Sequence, residues 1–95
     1  MKLQLFSSRT GVSAPNLVAI QDAELEMMPT VLVCPLRSDE LLTPVRVEVI
    51  AAGRRCVVLC ELARPIHRRV LVAAGQLDDA DSRRVMNAFQ MLLAK

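Results

Sequence analysis

Arg37, Ser38 and Asp39 stand together directly after the most apolar stretch of the chain, TVLVCPL. They are the residues best suited to phosphodiester chemistry. Cleaving an RNA strand needs a cation on the phosphate and a group that moves the 2′-hydroxyl proton. Arg37 supplies the first; Asp39 or the single histidine, His67, would supply the second, with Ser38 assisting. A plain polar turn after a strand has the same composition, so the tripeptide alone does not define an enzyme.

Cys34, Cys56, Cys60 and His67 have the ligand types of a Cys3His zinc site, but the spacing argues against one. If Cys56 and Cys60 share a strand, four residues place them about 13 Å apart. Two thiolates on one zinc each lie about 2.3 Å from it. The same separation forbids a disulfide between them. A nucleophilic pair from Cys60 and His67 lacks support too, because nothing in VVLCEL suggests the turn or helix start that lowers a thiol pKa. The three glycines are dispersed, so no phosphate-binding loop is present, and without Trp or Tyr there is little to stack on a base. No metal or cofactor is expected. An odd number of cysteines in a reducing compartment is expected to stay free and buried.

The 95 residues make a single domain, 1–95, whose hydrophobic fraction is 53% with only Phe6 and Phe89 aromatic. Its core must be aliphatic. So much aliphatic surface on so short a chain points to a second subunit, and a homodimer is the default. Twelve basic against ten acidic residues is too near balance to imply nucleic-acid binding by composition. The distribution is more telling. Arginines crowd the second half, while Asp22, Glu24 and Glu26 lie together in the first. No apolar run approaches the roughly 20 residues that span a bilayer, and MKLQLFSSRTG lacks the apolar centre of a signal peptide. The expected location is cytoplasmic, with no membrane partner.

The elements that must position these residues are mostly strands. Lys2–Phe6 alternates as a half-buried strand, and Ser7–Asn16 reads as a long polar loop. Leu17–Gln21 is a second strand, with Asp22–Met28 a connection. Thr30–Leu36 is continuously apolar and should be covered on both faces. Arg37–Leu42 is a polar turn. Val45–Ile50 and Arg55–Leu62 form a hairpin around Ala52-Gly53-Arg54, whose arginines Arg54 and Arg55 could grip a phosphate or simply be solvated. Ala63-Arg64-Pro65 breaks the run, and Arg68–Ala73 is a further strand. Asp78–Lys95 has the apolar spacing of an amphipathic helix, with carboxylates at its start. Its core face is Val85, Ala88, Phe89 and Leu92. The sum is a mainly β chain with a C-terminal α-helix, a small, curled antiparallel barrel.

The run LVAIQDAELEMMPTVLVCPLRSDELL resembles the second and third strands of the CcdB family of bacterial toxin–antitoxin toxins. The shared features are an apolar strand, an acidic turn, a hydrophobic strand ending in Pro35-Leu36, and the paired Leu41-Leu42. Asp79 through Lys95 is similar to the family's terminal helix, with Asn87-Ala88 matching an Asn-Ala pair. The resemblance implies an SH3-like barrel, a tight homodimer and neutralisation by a cognate antitoxin, with operator DNA reached only through that antitoxin. It also implies a non-enzymatic poison of DNA gyrase that binds the A-type gyrase subunit through Asn87, Gln90, Met91, Ala94 and Lys95. The related MazF/Kid toxins share the fold and cut mRNA, which would use Arg37, Ser38, Asp39 and His67. Fold alone does not choose between the two.

One departure bears on that choice. The family's gyrase poisons end in an aromatic Trp-Gly-Ile tripeptide, whereas this sequence ends Leu93-Ala94-Lys95 and has no Trp. Aromatic anchors usually dominate an interface, so the target contact is remade, the target differs, or toxicity is lost. In the last case the chain would be a module that only binds its antitoxin. Arg54, Arg55, Arg64 and Arg68 would then receive an acidic, disordered antitoxin segment that folds on binding.

Overall fold

The computed structural model describes residues 1–8, 14–21 and 28–93. Seven strands precede one helix: β1 Gln4–Ser7, β2 Leu17–Ala19, β3 Thr30–Arg37, β4 Arg46–Ala51, β5 Arg54–Leu59, β6 Arg64–His67, β7 Val72–Gln76 and α1 Asp79–Leu93. They pair antiparallel in the order β4-β5-β3-β2-β1-β7, and β6 adds to β3. The expected mainly β, curled antiparallel sheet with a C-terminal helix is what the chain forms. The acidic cluster Asp22, Glu24 and Glu26, the rest of its connection as far as residue 27, and the middle of the first loop lie outside the described residues.

β3 is the hub. Its backbone pairs with β2 along one edge and with both β5 and β6 along the other. The switch between β5 and β6 follows from one residue. Leu36 N–H donates to the Asn16 carbonyl at 2.9 Å, and the Leu32 carbonyl accepts from Ile20 N–H at 3.0 Å, so even-numbered residues of β3 face β2. Pro35 therefore faces the other edge, where it has no N–H to give. The ladder stops there: Leu36 still pairs with Val58, but Val33 pairs with Arg64. The intervening chain bulges out through a 3-10 turn at Cys60–Leu62.

Both faces of β3 are covered, as its unbroken apolar run requires. Cys34 and Leu36 join Leu5, Val18, Val49 and Val58 in the larger core, which α1 closes with Val85 and Ala88. Val31 and Val33 point the other way, against Phe6, Leu17 and Ala19, with Ile66 and Leu71 packed alongside. Phe89 and Leu92 pack only partly against the large core, so the expectation that they are core residues on a par with Val85 is corrected.

The start of α1 is tied down by its acidic residues. Asp78 caps the helix, its carboxylate accepting from Asp81 N–H at 2.7 Å. Ser82 Oγ accepts from Leu3 N–H at 2.9 Å in the buried interior. Asp81 reaches across to β4, accepting from Ile50 N–H at 2.9 Å and pairing with Arg84 at 2.6 Å. Burial alone would push the Asp81 carboxyl up, but the Ile50 N–H and the Arg84 guanidinium outweigh it and hold the carboxyl below its usual range. A lowered folded-state pKa means that this stabilisation is complete above the unfolded carboxylate value of about 4 and is lost as pH falls below it. Asp81→Asn is therefore expected to flatten the acid limb of a thermal-melt profile measured between about pH 2 and pH 6. Asp81→Ala should cost about 1–3 kcal/mol at neutral pH by leaving the Ile50 N–H without its acceptor.

Three differences from the sequence reading have physical causes. Residues 64–67 form β6 instead of breaking the chain, because an outer strand tolerates Pro65 when its missing N–H is on the unpaired side. Arg68–Val70 is a 3-10 turn, and the strand that follows starts at Val72. β5 ends at Leu59, so Cys56 and Cys60 do not share a strand to its end.

Candidate functional site

Arg37 is the last residue of β3 and pairs in register with Val57 of β5, which fixes its backbone on the most heavily paired strand of the sheet. Its side chain is exposed, and grooves open on either side of it. One, of about 370 Å³, is bordered by Pro15, Arg37, Ser38, Arg54 and Arg55. The other, of about 450 Å³, is bordered by Asn16, Pro35, Arg37 and Arg64. Ser38 also borders a third hollow of about 550 Å³ with Glu40, Leu41, Leu42 and Arg55.

The β4–β5 hairpin carries Arg54 and Arg55 to this place. Its two-residue turn, Ala52-Gly53, has positive φ at both residues (51° and 77°), the geometry whose twist matches a right-twisted hairpin. Asn16 is held on the opposite bank by two bonds to Ser8: its Oδ1 accepts from Ser8 N–H at 3.0 Å, and its Nδ2 donates to Ser8 Oγ at 2.9 Å.

Not every arginine here is equally available. Arg55 donates to Glu48 at 2.5 Å, and this bond holds the Glu48 carboxyl below its usual range and raises Arg55. Arg46 is shared between Glu40 at 3.2 Å and Glu61 at 2.7 Å. Arg54 and Arg64 pair with no carboxylate among the described residues. Arg37 meets one, Glu40, at 3.4 Å. A phosphate entering the groove would compete with Glu40 for the Arg37 guanidinium, which has fork geometry for either anion.

Glu40 is the residue the sequence reading missed. Its one signal is the three-residue spacing from Arg37, which a tight turn brings to one side. Asp39, the carboxylate expected to assist, is adjacent in sequence and exposed.

His67 is not part of this cluster, which corrects the expected grouping. It pairs with Thr30 at the opposite end of β3, seven residues from Arg37, or about 23 Å along a strand. There its Nδ1 accepts from Arg69 N–H at 3.3 Å and caps the turn Arg68–Val70. Nor is His67 brought to Cys60, whose thiol is buried against the Val85 carbonyl at 3.9 Å. Among the proposed antitoxin contacts, Arg54, Arg55 and Arg64 gather around Arg37. Arg68 lies at the His67 end, where its Nε donates to the Met28 carbonyl at 3.0 Å.

The helix residues expected to meet a target are separate from the grooves around Arg37. Asn87 and Gln90 border a hollow with Met1 and Arg83, and Met91 is 59% exposed beside Leu42 and Pro44. Ala94 and Lys95 lie outside the described residues. No helix among the described residues is long and apolar enough to cross a membrane.

A family model described as PemK-like, MazF-like toxin of type II toxin-antitoxin system matches residues 8–93. The chain belongs to this toxin family. The match corrects the finer resemblance: the CcdB assignment is not supported, and the branch is that of the PemK and MazF toxins. Solved structures agree on the fold. The toxin MazF-mt6 of Mycobacterium tuberculosis is 13% identical, with 98% of this chain and 96% of that one covered and a TM-score of 0.75. An endoribonuclease from a mycobacterial species, solved with its cognate antitoxin, is 13% identical over 97% and 90%, with a TM-score of 0.76. The MazE–MazF complex of Deinococcus radiodurans contains a chain 20% identical over 98% and 90%, with a TM-score of 0.73. No curated protein sequence matches this chain at a significant level.

Proposed function

We propose that this toxin is an endoribonuclease that cuts single-stranded RNA in the grooves flanking Arg37. The observation that carries the reading is the placement of Arg37. A guanidinium fixed at the end of β3 stands between two open grooves, with Arg54 beside one and Arg64 beside the other. A strand of nucleic acid laid through both would put one phosphate on Arg37 and its neighbours on the flanking arginines. Family membership and the structural likeness to an endoribonuclease solved with its antitoxin support the same activity.

In this mechanism Arg37 holds the reacting phosphate and offsets the charge that develops on its oxygens. The Glu40 Oε1, released by Arg37 while Oε2 stays paired with Arg46, takes the proton from the ribose 2′-hydroxyl. Ser38 donates a hydrogen bond to a phosphate oxygen. The 2′-oxygen attacks the adjacent phosphorus, and the 5′-oxygen of the next nucleotide leaves and is protonated by water. The products carry a 2′,3′-cyclic phosphate and a 5′-hydroxyl. Glu40→Gln keeps the shape but not the proton acceptor. It is expected to lower kcat about 100-fold or more while leaving the melting temperature close to that of the parent. An unchanged kcat would assign the proton to another group.

As a member of a toxin–antitoxin pair, the chain would act as a homodimer and be silenced by an antitoxin whose acidic segment lies on Arg54, Arg55 and Arg64. Such a segment would occupy the RNA path. Gyrase binding by Asn87, Gln90 and Met91 rests on the CcdB resemblance, which the family match does not support. Expression of the chain without its antitoxin tests the choice. Growth arrest with loss of RNA and intact DNA is expected, whereas arrest with trapped DNA breaks and intact RNA would overturn the nuclease reading.

A further inference from the structure

We infer that Cys34 and Cys60 are a cross-strand thiol pair that closes to a disulfide when the protein meets a peroxide, leaving Cys56 unbridged. The evidence is independent of the nuclease reading.

Register comes first. β3 and β5 pair Arg37 with Val57 and Leu36 with Val58, and continuing that antiparallel register by two residues sets Cys60 opposite Cys34. Cys60 still holds its ladder position on the other edge, since its N–H donates to the Val45 carbonyl at 3.2 Å. Its N–H therefore faces β4, and its carbonyl closes the 3-10 turn by accepting from Ala63 N–H at 3.3 Å, so neither group pairs with β3. Cys34, an even-numbered residue of β3, turns its own toward β2, where it pairs with Val18. The ladder itself ends at Leu36 and Val58, and Cys34 and Cys60 face each other just past its end with no backbone bond between them. This is the arrangement of a non-hydrogen-bonded pair, where Cα atoms come to about 4.5 Å and side chains are closest. A disulfide accepts Cα separations of about 4.4–6.8 Å.

Contact comes second. Both residues lie in the same core cluster, with 0% and 1% exposure. The Cys60 thiol donates to the Val85 carbonyl at 3.9 Å. The neighbouring Cys60 thiol together with burial raises the Cys34 thiol far above its ordinary value, while Cys34 lowers that of Cys60 against the effect of burial. Cys60 is thus the sulfur to react first. It also opens the 3-10 turn, whose next residues, Glu61 and Leu62, are exposed, so local opening of this turn admits a small oxidant.

The chemistry balances with peroxide as oxidant. The Cys60 thiolate attacks the O–O bond and becomes a sulfenic acid, releasing water. The Cys34 sulfur then displaces the sulfenic oxygen as a second water. Two thiols give up two electrons and two protons in all. The bond ties β3, three residues before Arg37, to the turn that leads to Arg64.

The test uses the folded full chain treated with hydrogen peroxide, followed by alkylation and peptide mapping. Expected are a 2 Da mass loss, a Cys34–Cys60 linked peptide and an alkylated Cys56. The melting temperature should rise by at least about 5 °C, because the bridge closes a long loop in the unfolded chain. Cys56→Ser should behave like the parent chain, which keeps the test independent of how core variants fold. Recovery of Cys34 and Cys60 as free thiols under these conditions, or a bridge that engages Cys56, would overturn the inference.

Discussion

Arg37→Ala is expected to lower RNA cleavage by about 100-fold or more while the melting temperature stays within about 3 °C of the parent. The two halves of this result have different causes. Arg37 ends the central strand with its guanidinium in solvent and one long ion pair to Glu40 at 3.4 Å, so little folding energy rests on it. On the reacting phosphate the same guanidinium would be opposed to developing charge. Removing one such donor from an enzyme commonly costs two to three orders of magnitude. Arg37→Lys keeps the charge and loses the fork, and should recover only part of the rate. Quantified cleavage of a defined RNA, with thermal melts of each variant, checks all three statements.

The largest loss of stability is expected from Leu77→Ala, about 2–5 kcal/mol. Leu77 is fully buried where the chain passes from β7 to α1, and its N–H donates to the Leu3 carbonyl at 2.9 Å. Shortening it opens a cavity between the first strand and the helix, on the seam that Asp78, Asp81 and Ser82 hold from the polar side. For a chain of this size that is at least about 10 °C in melting temperature. Phe89→Ala, at a half-buried position, should cost less than the about 3–5 kcal/mol of a fully buried phenylalanine. Urea unfolding of both variants gives the ranking, and an equal or reversed order would show that the helix is anchored differently.

Much of this architecture could be read from the chain because the signals were periodic. The alternation of Val45, Val47 and Val49, the turn at Ala52-Gly53 and the unbroken apolar run of β3 each follow from side-chain geometry on a pleated strand. The spacing of Val85 and Ala88, with aspartates before them, marked the helix in the same way. The element that was missed, β6, contains Pro65, and local preference there pointed away from a strand. Only the tertiary fact that β6 pairs along β3 alone makes proline acceptable. His67 and Arg37 are both polar residues at the ends of strands, so nothing local said that β3 would hold them apart. Glu40 escaped because its role depends on which side of a turn its carboxylate falls. The family assignment came close for a related reason. Apolar strands in a fixed order are common to barrels of this kind, and they identify the fold before they identify the branch.

The central claim is that the toxin cuts RNA at the grooves around Arg37 by attack of the RNA's own 2′-hydroxyl on the adjacent phosphorus. Its most direct test is a single-stranded RNA incubated with the purified toxin, beside the same strand carrying 2′-deoxyribose at the cleaved position. The predicted result is scission of the all-ribose strand with a 5′-hydroxyl on the downstream product, no scission at the deoxy position, and all-ribose scission slowed about 100-fold or more with Arg37→Ala. Intact RNA in the presence of a preparation that arrests growth, or equal cutting of the deoxy-substituted strand, would contradict it.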